Sequence, residues 1–368
     1  MMIIAGEASG DMRAAELVRA IKALAPDTRL TGIGGECMQQ AGVILFENIT
    51  SLAVIGIVEV LKNIGTIKKV FELTLSQVDS QRPDAVILVD YPGFNLRLAK
   101  ELKKRGIKVF YYISPQVWAW REGRIEKIKT LVDRMLVLFP FEKELYAKHG
   151  MHVDYVGHPL VDEIKTDQHP DNVLRCIGLI PEGKITIGLM PGSRQKEVTR
   201  HLPSMIEAAQ QLHAKNSQYQ FLLLKASTIS RSTLNSYLPD NLPVKIHEGS
   251  SYNGINAMDA AIVASGTATL ETALLGKPMV IIYKTSWITY AIAKAVIKIP
   301  YIGLVNVVAG RKIVPELIQN DCNAAAIATT IEQVLHDPSM IQQLANVKTA
   351  LGQPDASRRA AEVILNSL

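Results

Sequence analysis

The stretch Asp259–Tyr283, DAAIVASGTATLETALLGKPMVIIY, reads as strand, turn, helix and strand. Ala260 to Ala264 is a short apolar run, and Ser265-Gly266-Thr267 breaks it with small polar residues. Ala268 to Leu275 follows with good helix formers, stopped by Gly276 and Pro278, and Met279 to Tyr283 is a second buried strand. Two apolar strands joined by a helix predict a parallel sheet, and a parallel sheet puts Ser265, Gly266 and Thr267 at its carboxyl edge. Backbone N–H groups there have no partner inside the helix and suit an anion such as a diphosphate. Glu271, a turn further on, suits the two hydroxyls of a ribose. The alternative is an ordinary helix cap with a solvated Glu271.

The same alternation extends in both directions. Upstream in the second half, Ile185 to Met190 is a strand that ends in Pro191-Gly192-Ser193-Arg194. Arg194 offers a planar guanidinium that can hold a diphosphate by two parallel bonds, against the alternative of a surface pair with Glu197. Phe221 to Lys225 and Val244 to His247 are further strands. In the first half, Met1 to Ala5 opens into Gly6-Glu7-Ala8-Ser9-Gly10-Asp11 and a helix. This loop lacks the Lys-Ser/Thr of a phosphate loop and the third glycine of a dinucleotide fingerprint. Its acids, Glu7 and Asp11, suit hydroxyl groups or simple helix capping. Asp84 to Val89 is a buried strand that delivers Asp90 to its carboxyl end, where a carboxylate can reach a substrate hydroxyl. The alternative is an Asx turn before Pro92. Val109 to Ile113 leads to Trp118, Trp120, Arg121 and Arg124, a wall for sugar or lipid or else a packed cluster.

Composition sets bounds. At 368 residues the chain predicts two domains, and 48% hydrophobic against 20% charged residues supplies ample core. A net charge of +5 is too small to argue for nucleic acid. Between Arg97 and Lys148, however, 13 Lys or Arg stand against 6 Asp or Glu, which favours phosphates or anionic lipid. Cys37, Cys176 and Cys322 are few and widely spaced, which suits a reducing compartment, gives no metal spacing and predicts buried or inert thiols. Met1 to Asp11 does not read as a signal peptide, so a cytoplasmic location is expected. Leu52 to Leu75 is more apolar than one core-facing stripe needs. Val58, Leu61, Ile64 and Ile67, with lysines beside them, read either as a buried helix or as one entering a lipid interface.

The residues also carry a family resemblance. GEASGD (6–11), LAVIGIVEVL (52–61), VDYPGFN (89–95), ISPQVWAWR (113–121), PFEKELY (140–146), PGSRQKEV (191–198) and ASGTATLE (264–271) resemble, in order, the motifs of the lipid-A-disaccharide synthases. Gly93 departs from the pattern, standing where many relatives have a second Asp. The Lys284 to Tyr290 segment is a looser match. The resemblance implies an α/β chain of two Rossmann-like domains facing across a cleft, the GT-B arrangement. Residues 1–165 would take the acceptor, 166–345 the UDP-sugar, and a helical tail, 346–368, could cross back to the first domain. It implies inverting transfer of diacylglucosamine from UDP to lipid X, 2,3-diacylglucosamine 1-phosphate, on the cytoplasmic face of a Gram-negative inner membrane. Asp90 would be the base, with Glu7 beside it. Ser193, Arg194, Ser265, Gly266, Thr267 and Glu271 would hold UDP. Ser9, Asp11, Trp118 and Arg121 would meet the acceptor. No metal or other cofactor is expected, and a homodimer is left open. The rival readings are a UDP-N-acetylglucosamine 2-epimerase-like enzyme and a non-catalytic lipid-binding protein.

Overall fold

The computed structural model describes residues 1–48, 64–120, 122–296 and 299–368. The chain divides into two compact units, Met1–Pro159 with Gly352–Leu368, and Leu160–Leu351. The end of the chain thus belongs to the first unit. Helix Ala356–Leu365 packs on helix Ala8–Leu24 through a face of Ala356, Ala360, Ala361 and Ile364, small residues that let the two backbones approach. Arg359 Nε donates to the Val156 carbonyl at 2.9 Å, and Lys108 Nζ to that of Ser367, fastening this helix to the sheet's far side.

The first unit holds a parallel sheet of β1 (Met2–Ala5), β2 (Thr31–Gly34), β3 (Ile44–Asn48), β4 (Ala85–Val89), β5 (Lys108–Tyr112), β6 (Arg134–Val137) and β7 (Asp154–Tyr155). Its strand order is β3-β2-β1-β4-β5-β6-β7. The second holds β8 (Ile185–Met190), β9 (Tyr219–Leu224), β10 (Val244–His247), β11 (Ala260–Ala264), β12 (Met279–Tyr283) and β13 (Glu316–Ile318), ordered β10-β9-β8-β11-β12-β13. Both orders reverse direction once, between β1 and β4 and between β8 and β11. Central strands such as AVILV in β4 and AAIVA in β11 are buried on both faces, as parallel strands between helices must be. Truncating Leu88 or Ile262, both fully enclosed, would cost about 2–5 kcal/mol.

Register decides what meets at the switch points. Ala5 pairs with Val89, so Gly6-Glu7 and Asp90-Tyr91 leave the first sheet side by side. Val263 pairs with Met190, which brings Ser265-Gly266-Thr267 beside Gly192-Ser193-Arg194 in the second.

Of the segment read as amphipathic, Val58 and Leu61 lie outside the described residues. The remainder opens helix Ile64–Gln81, which buries Val70, Thr74 and Val78 on one face. Ile67, Phe71 and Leu75 are half-buried against the core of the first unit, so Ile67 serves packing as well as any lipid contact. Of the three thiols, Cys322 is buried, Cys37 half-buried and Cys176 exposed. Among the described residues no helix is long and apolar enough to cross a membrane.

Candidate active site

Asp90 and Tyr91 both adopt left-handed backbone conformations, with φ of 45° and 44°. Side chains with a Cβ avoid this region, and each such residue costs on the order of 1–3 kcal/mol unless its surroundings enforce it. Here they do. The Asp90 N–H donates to the Tyr112 carbonyl at 3.0 Å, while its own carbonyl accepts from Tyr111 Oη at 2.6 Å and Asn95 Nδ2 at 2.8 Å. Asn95, fully buried, also reaches the Val89 carbonyl at 3.1 Å. The Tyr91 ring lies across Gly6, where a Cβ would stand 2.3 Å from it, so only glycine at position 6 admits this packing. Asp90 is therefore fixed at the switch point by residues from three strands and the following helix.

Its carboxyl group is half-buried. Burial, and then the negative charge of Glu7, push it up to about 6, with the Tyr91 N–H pulling the other way. Glu7, exposed at the start of helix Ala8–Leu24, is thus an electrostatic neighbour of Asp90 despite the distance between them in sequence. A carboxylate with that affinity is a better proton acceptor near neutral pH than an ordinary aspartate, and it remains mostly ionised there.

The other first-half candidates are placed differently. Ser9 is exposed in the first turn of helix Ala8–Leu24. Asp11 is buried, and its carboxylate accepts from the backbone N–H groups of Gly35, Cys37 and Met38 at 2.6, 3.0 and 3.1 Å. Asp11 thereby anchors the loop after β2 instead of facing an acceptor. Trp118 packs edge-on to Phe141 at 5.4 Å, and Phe141 stacks on Phe139. It belongs to an aromatic cluster beside buried Glu142, whose carboxyl is pushed up to about 7 by burial. Arg121 lies outside the described residues.

In the second unit, the loops after four strands enclose a cavity of about 750 Å³. Gly192, Ser193 and Arg194 follow β8, and Ser265, Gly266, Thr267 and Glu271 follow β11; all seven line it. Gly192 has φ of 115°, and a Cβ there would fall 2.4 Å from Glu197 Oε2. This turn lets Glu197 accept from the N–H groups of Ser193 and Arg194 at 3.1 and 3.3 Å. Arg194 also pairs with Glu197 at 3.2 Å, yet its side chain is 75% exposed, so the pair is weak and leaves the guanidinium able to turn to a ligand. Ser265 is committed: its N–H donates to Ile282 O at 3.1 Å and its hydroxyl to Ile302 O at 2.7 Å. It shapes the loop, and Gly266 and Thr267 beyond it line the cavity. Lys225, Ser227, Glu248 and Gly249 line the same cavity and were missed. Each follows the carboxyl end of β9 or β10, as Asp90 follows that of β4 and Arg194 that of β8. The Lys284 segment is tied inward, its N–H donating to His201 Nε2 at 2.9 Å while His201 Nδ1 meets Pro191 O at 2.9 Å. Among the described residues no three His, Cys, Asp or Glu gather as a metal site.

Two parallel α/β sheets of this order, each with polar loops at its switch point, define the GT-B architecture of glycosyltransferases and sugar-nucleotide epimerases. Solved structures of both kinds are similar. The glycotransferase of kitacinnamycin matches with a TM-score of 0.70 at 15% identity, covering 100% of this chain and 98% of that one. The UDP-GlcNAc 2-epimerase of Neisseria meningitidis, bound to UDP-GlcNAc, gives 0.66 at 14% identity over 99% of each chain. At such identities the likeness shows the fold alone. Sequence is more specific. The lipid-A-disaccharide synthetase family profile matches residues 1–366. The lipid-A-disaccharide synthase of Geobacter sulfurreducens is 46% identical over 100% of this chain and 97% of its own. Lipid-A-disaccharide synthase 1 of Legionella pneumophila strain Philadelphia 1 is 43% identical with the same coverage. The chain belongs to the lipid-A-disaccharide synthase family, and is a glycosyltransferase.

Proposed function

We propose that Asp90 is the base in an inverting transfer of 2,3-diacylglucosamine from UDP to the 6-hydroxyl of lipid X, giving the lipid A disaccharide 1-phosphate and UDP. The acceptor oxygen attacks the anomeric carbon as its proton passes to an Asp90 carboxylate oxygen. The bond from that carbon to the UDP oxygen breaks, and UDP leaves with its electron pair. The observation that carries this reading is Asp90 itself: half-buried, held in a strained conformation at the switch point of the first sheet, and raised in proton affinity. Glu7 supports that affinity or meets the acceptor sugar.

In the second unit, Arg194 and the N–H groups of Gly266 and Thr267 would take the charge that develops on the departing diphosphate, so no metal ion is required. Glu271 would hold the ribose. The basic run between Arg97 and Lys148 favours a peripheral position on an anionic membrane, where both lipid substrates reside. Incubating the protein with both lipids and following UDP release together with disaccharide formation tests this function. UDP release without disaccharide, or neither product, would overturn it. The epimerase reading rests only on fold, and the non-catalytic reading requires lipid binding without UDP release.

A further inference from the structure

The first unit buries a second raised carboxyl group that the proton transfer described above does not use. Glu142, in the first turn of helix Pro140–Lys148, is 2% exposed, and burial pushes it up to about 7. The groups that pull against burial are all hydrogen-bond donors: the Phe139 N–H, Ser114, the Leu138 N–H and Trp118. Its Oε2 accepts from the Phe139 N–H at 3.1 Å. A carboxylate that only capped its helix would stay in water, where its charge costs least. Glu142 instead lies where the segments after two neighbouring strands converge, Ser114 to Trp118 beyond β5 and Leu138 to Phe141 beyond β6. No charged side chain among the described residues shifts it. Lys143 and Glu144 of its own helix are exposed, and Tyr146, one turn on, is buried with its hydroxyl pushed up by burial. His158, packed on the Phe139 ring at 5.2 Å, is lowered to about 3 by burial and then Arg13. Of these buried groups, Glu142 is the one that changes charge near neutral pH.

The segment it gathers adjoins the proposed base. The Asp90 N–H donates to the Tyr112 carbonyl, and the Ile113 N–H donates in turn to that of Leu136 at 3.1 Å. Ile113 has φ of 69°, an outlier for a β-branched side chain that persists only where its surroundings enforce it. Strain thus sits at two adjacent strand ends, at Asp90-Tyr91 after β4 and at Ile113 after β5. Beyond Ile113, the buried Ser114 Oγ lies 2.8 Å from Tyr146 Oη and 3.0 Å from the Pro115 carbonyl. Its single proton can serve that carbonyl or the Glu142 carboxylate, and a negative charge on Glu142 favours the second. Trp118 Nε1 is buried with no hydrogen-bond partner, and Glu142 is the acceptor beside it. Tyr146 is also an electrostatic neighbour of Tyr111, whose hydroxyl holds the Asp90 carbonyl at 2.6 Å.

We infer that Glu142 is a positioning residue for the acceptor: ionised, it draws Ser114 and Trp118 inward and so sets the wall beside Asp90 that the acceptor sugar meets. This rests on the proposed reaction and deepens it, by naming what orders the acceptor's side of the base. An ionised carboxylate accepts from every donor that converges on it, whereas a carboxylic acid must itself donate one proton among them. Protonation therefore releases the side-chain donors, Ser114 and Trp118, and leaves the backbone N–H of Phe139 in place. Acceptor affinity should fall as pH drops through about 7, ahead of the loss of proton transfer that Asp90 imposes near 6.

The test is calorimetric binding of a short-chain diacylglucosamine 1-phosphate, without UDP-sugar, to the full chain and to Glu142→Gln between about pH 5.5 and about pH 8.5. Gln keeps the volume and an oxygen for the Phe139 N–H, but its amide nitrogen cannot accept from Ser114 or Trp118. At about pH 8.5 the variant should bind about tenfold more weakly, the loss of a charge-assisted contact. By about pH 5.5 the two should agree within about twofold, because Glu142 of the unmodified chain is then protonated. The ligand's own phosphate titrates near about 6, but it does so against both proteins and cancels from their ratio. Ser114→Ala removes a donor that holds the carboxyl group down, so the fall in affinity should move above about 7. A purely structural defect would lower affinity by the same factor at every pH. A constant ratio, equal affinities at about pH 8.5, or a Ser114→Ala midpoint that stays put or falls would each overturn the assignment. Ser114→Ala decides the matter alone if Glu142→Gln does not fold. No binding by the unmodified chain at any pH would overturn the reaction and this inference together. Absent UDP release with binding and its pH dependence intact would overturn the base alone.

Discussion

Removing the charge of Glu7 should move the pH dependence of the reaction in a direction fixed by the geometry. Asp90 is raised from an ordinary 3.8 to about 6, first by burial and second by Glu7, opposed by the Tyr91 N–H. A base must be ionised, so kcat/KM should fall on the acid side with a midpoint near that value. At about pH 5 only roughly a tenth of the enzyme would be active, against more than nine-tenths at about pH 7.5. Glu7→Gln removes the smaller of the two raising causes, so the midpoint should drop yet stay above the ordinary value, since burial remains. The assay is UDP release in mixed micelles across about pH 4.5–8.5, with UDP affinity measured at each end to show that the second unit stays intact. An acid limb near 4 would mean that the base is an ordinary solvated carboxylate. A Glu7→Gln midpoint that stays put or rises would show that the two carboxylates are not coupled. Either result refutes the reasoning.

Other consequences can be checked independently. Arg194→Ala should weaken UDP about 10- to 100-fold by calorimetry, the loss of a charge-assisted pair, and unchanged affinity would remove Arg194 from the site. Gly192→Ala combines a φ of 115° with a 2.4 Å approach to Glu197 and should lower UDP affinity while leaving the fold of the first unit measurable by circular dichroism. Burial, and then Arg13, lower His158 to about 3 from 6.5. The unfolded chain therefore gains that proton first as pH falls below about 6.5, and stability should drop by up to about 1.4 kcal/mol per pH unit from there towards 3. Thermal unfolding should show it, and His158→Gln should flatten the slope even if it lowers the baseline. Activity should survive a chelator, and its loss with recovery on adding a divalent cation would contradict the assignment of charge stabilisation to Arg194 and backbone donors.

The sequence made the sheets legible because parallel strands buried on both faces are continuous apolar runs, and AVILV and MVIIY are short, rich in β-branched residues and bounded by Pro or Gly. It also placed the candidate residues, because residues just past such runs lie at the carboxyl edge, as Asp90, Arg194 and Gly266 do. What it hid has physical causes. β3 is an edge strand, partly exposed and ending in Glu47-Asn48, and β13 has three residues, so neither has a strong apolar signal. Asp11 reads in the sequence as either a hydroxyl contact or a capping group, because its three N–H partners come from a loop more than twenty residues away. The left-handed turn at Asp90-Tyr91 has no local signature either. It depends on Gly6, Asn95 and Tyr111, which meet only when β1, β4 and β5 pair. Lys225 and Glu248 were overlooked although the same edge rule applied to them.

Exchange of one oxygen for nitrogen at the proposed base is the most direct probe, because Asp90→Asn keeps the volume and removes the proton acceptor. Turnover of both lipid substrates should fall about 10²- to 10⁴-fold, the usual contribution of a general base, while UDP binds the second unit as before. Turnover within a few-fold of the unmodified enzyme, in a variant that still binds UDP, would show that the proton goes elsewhere.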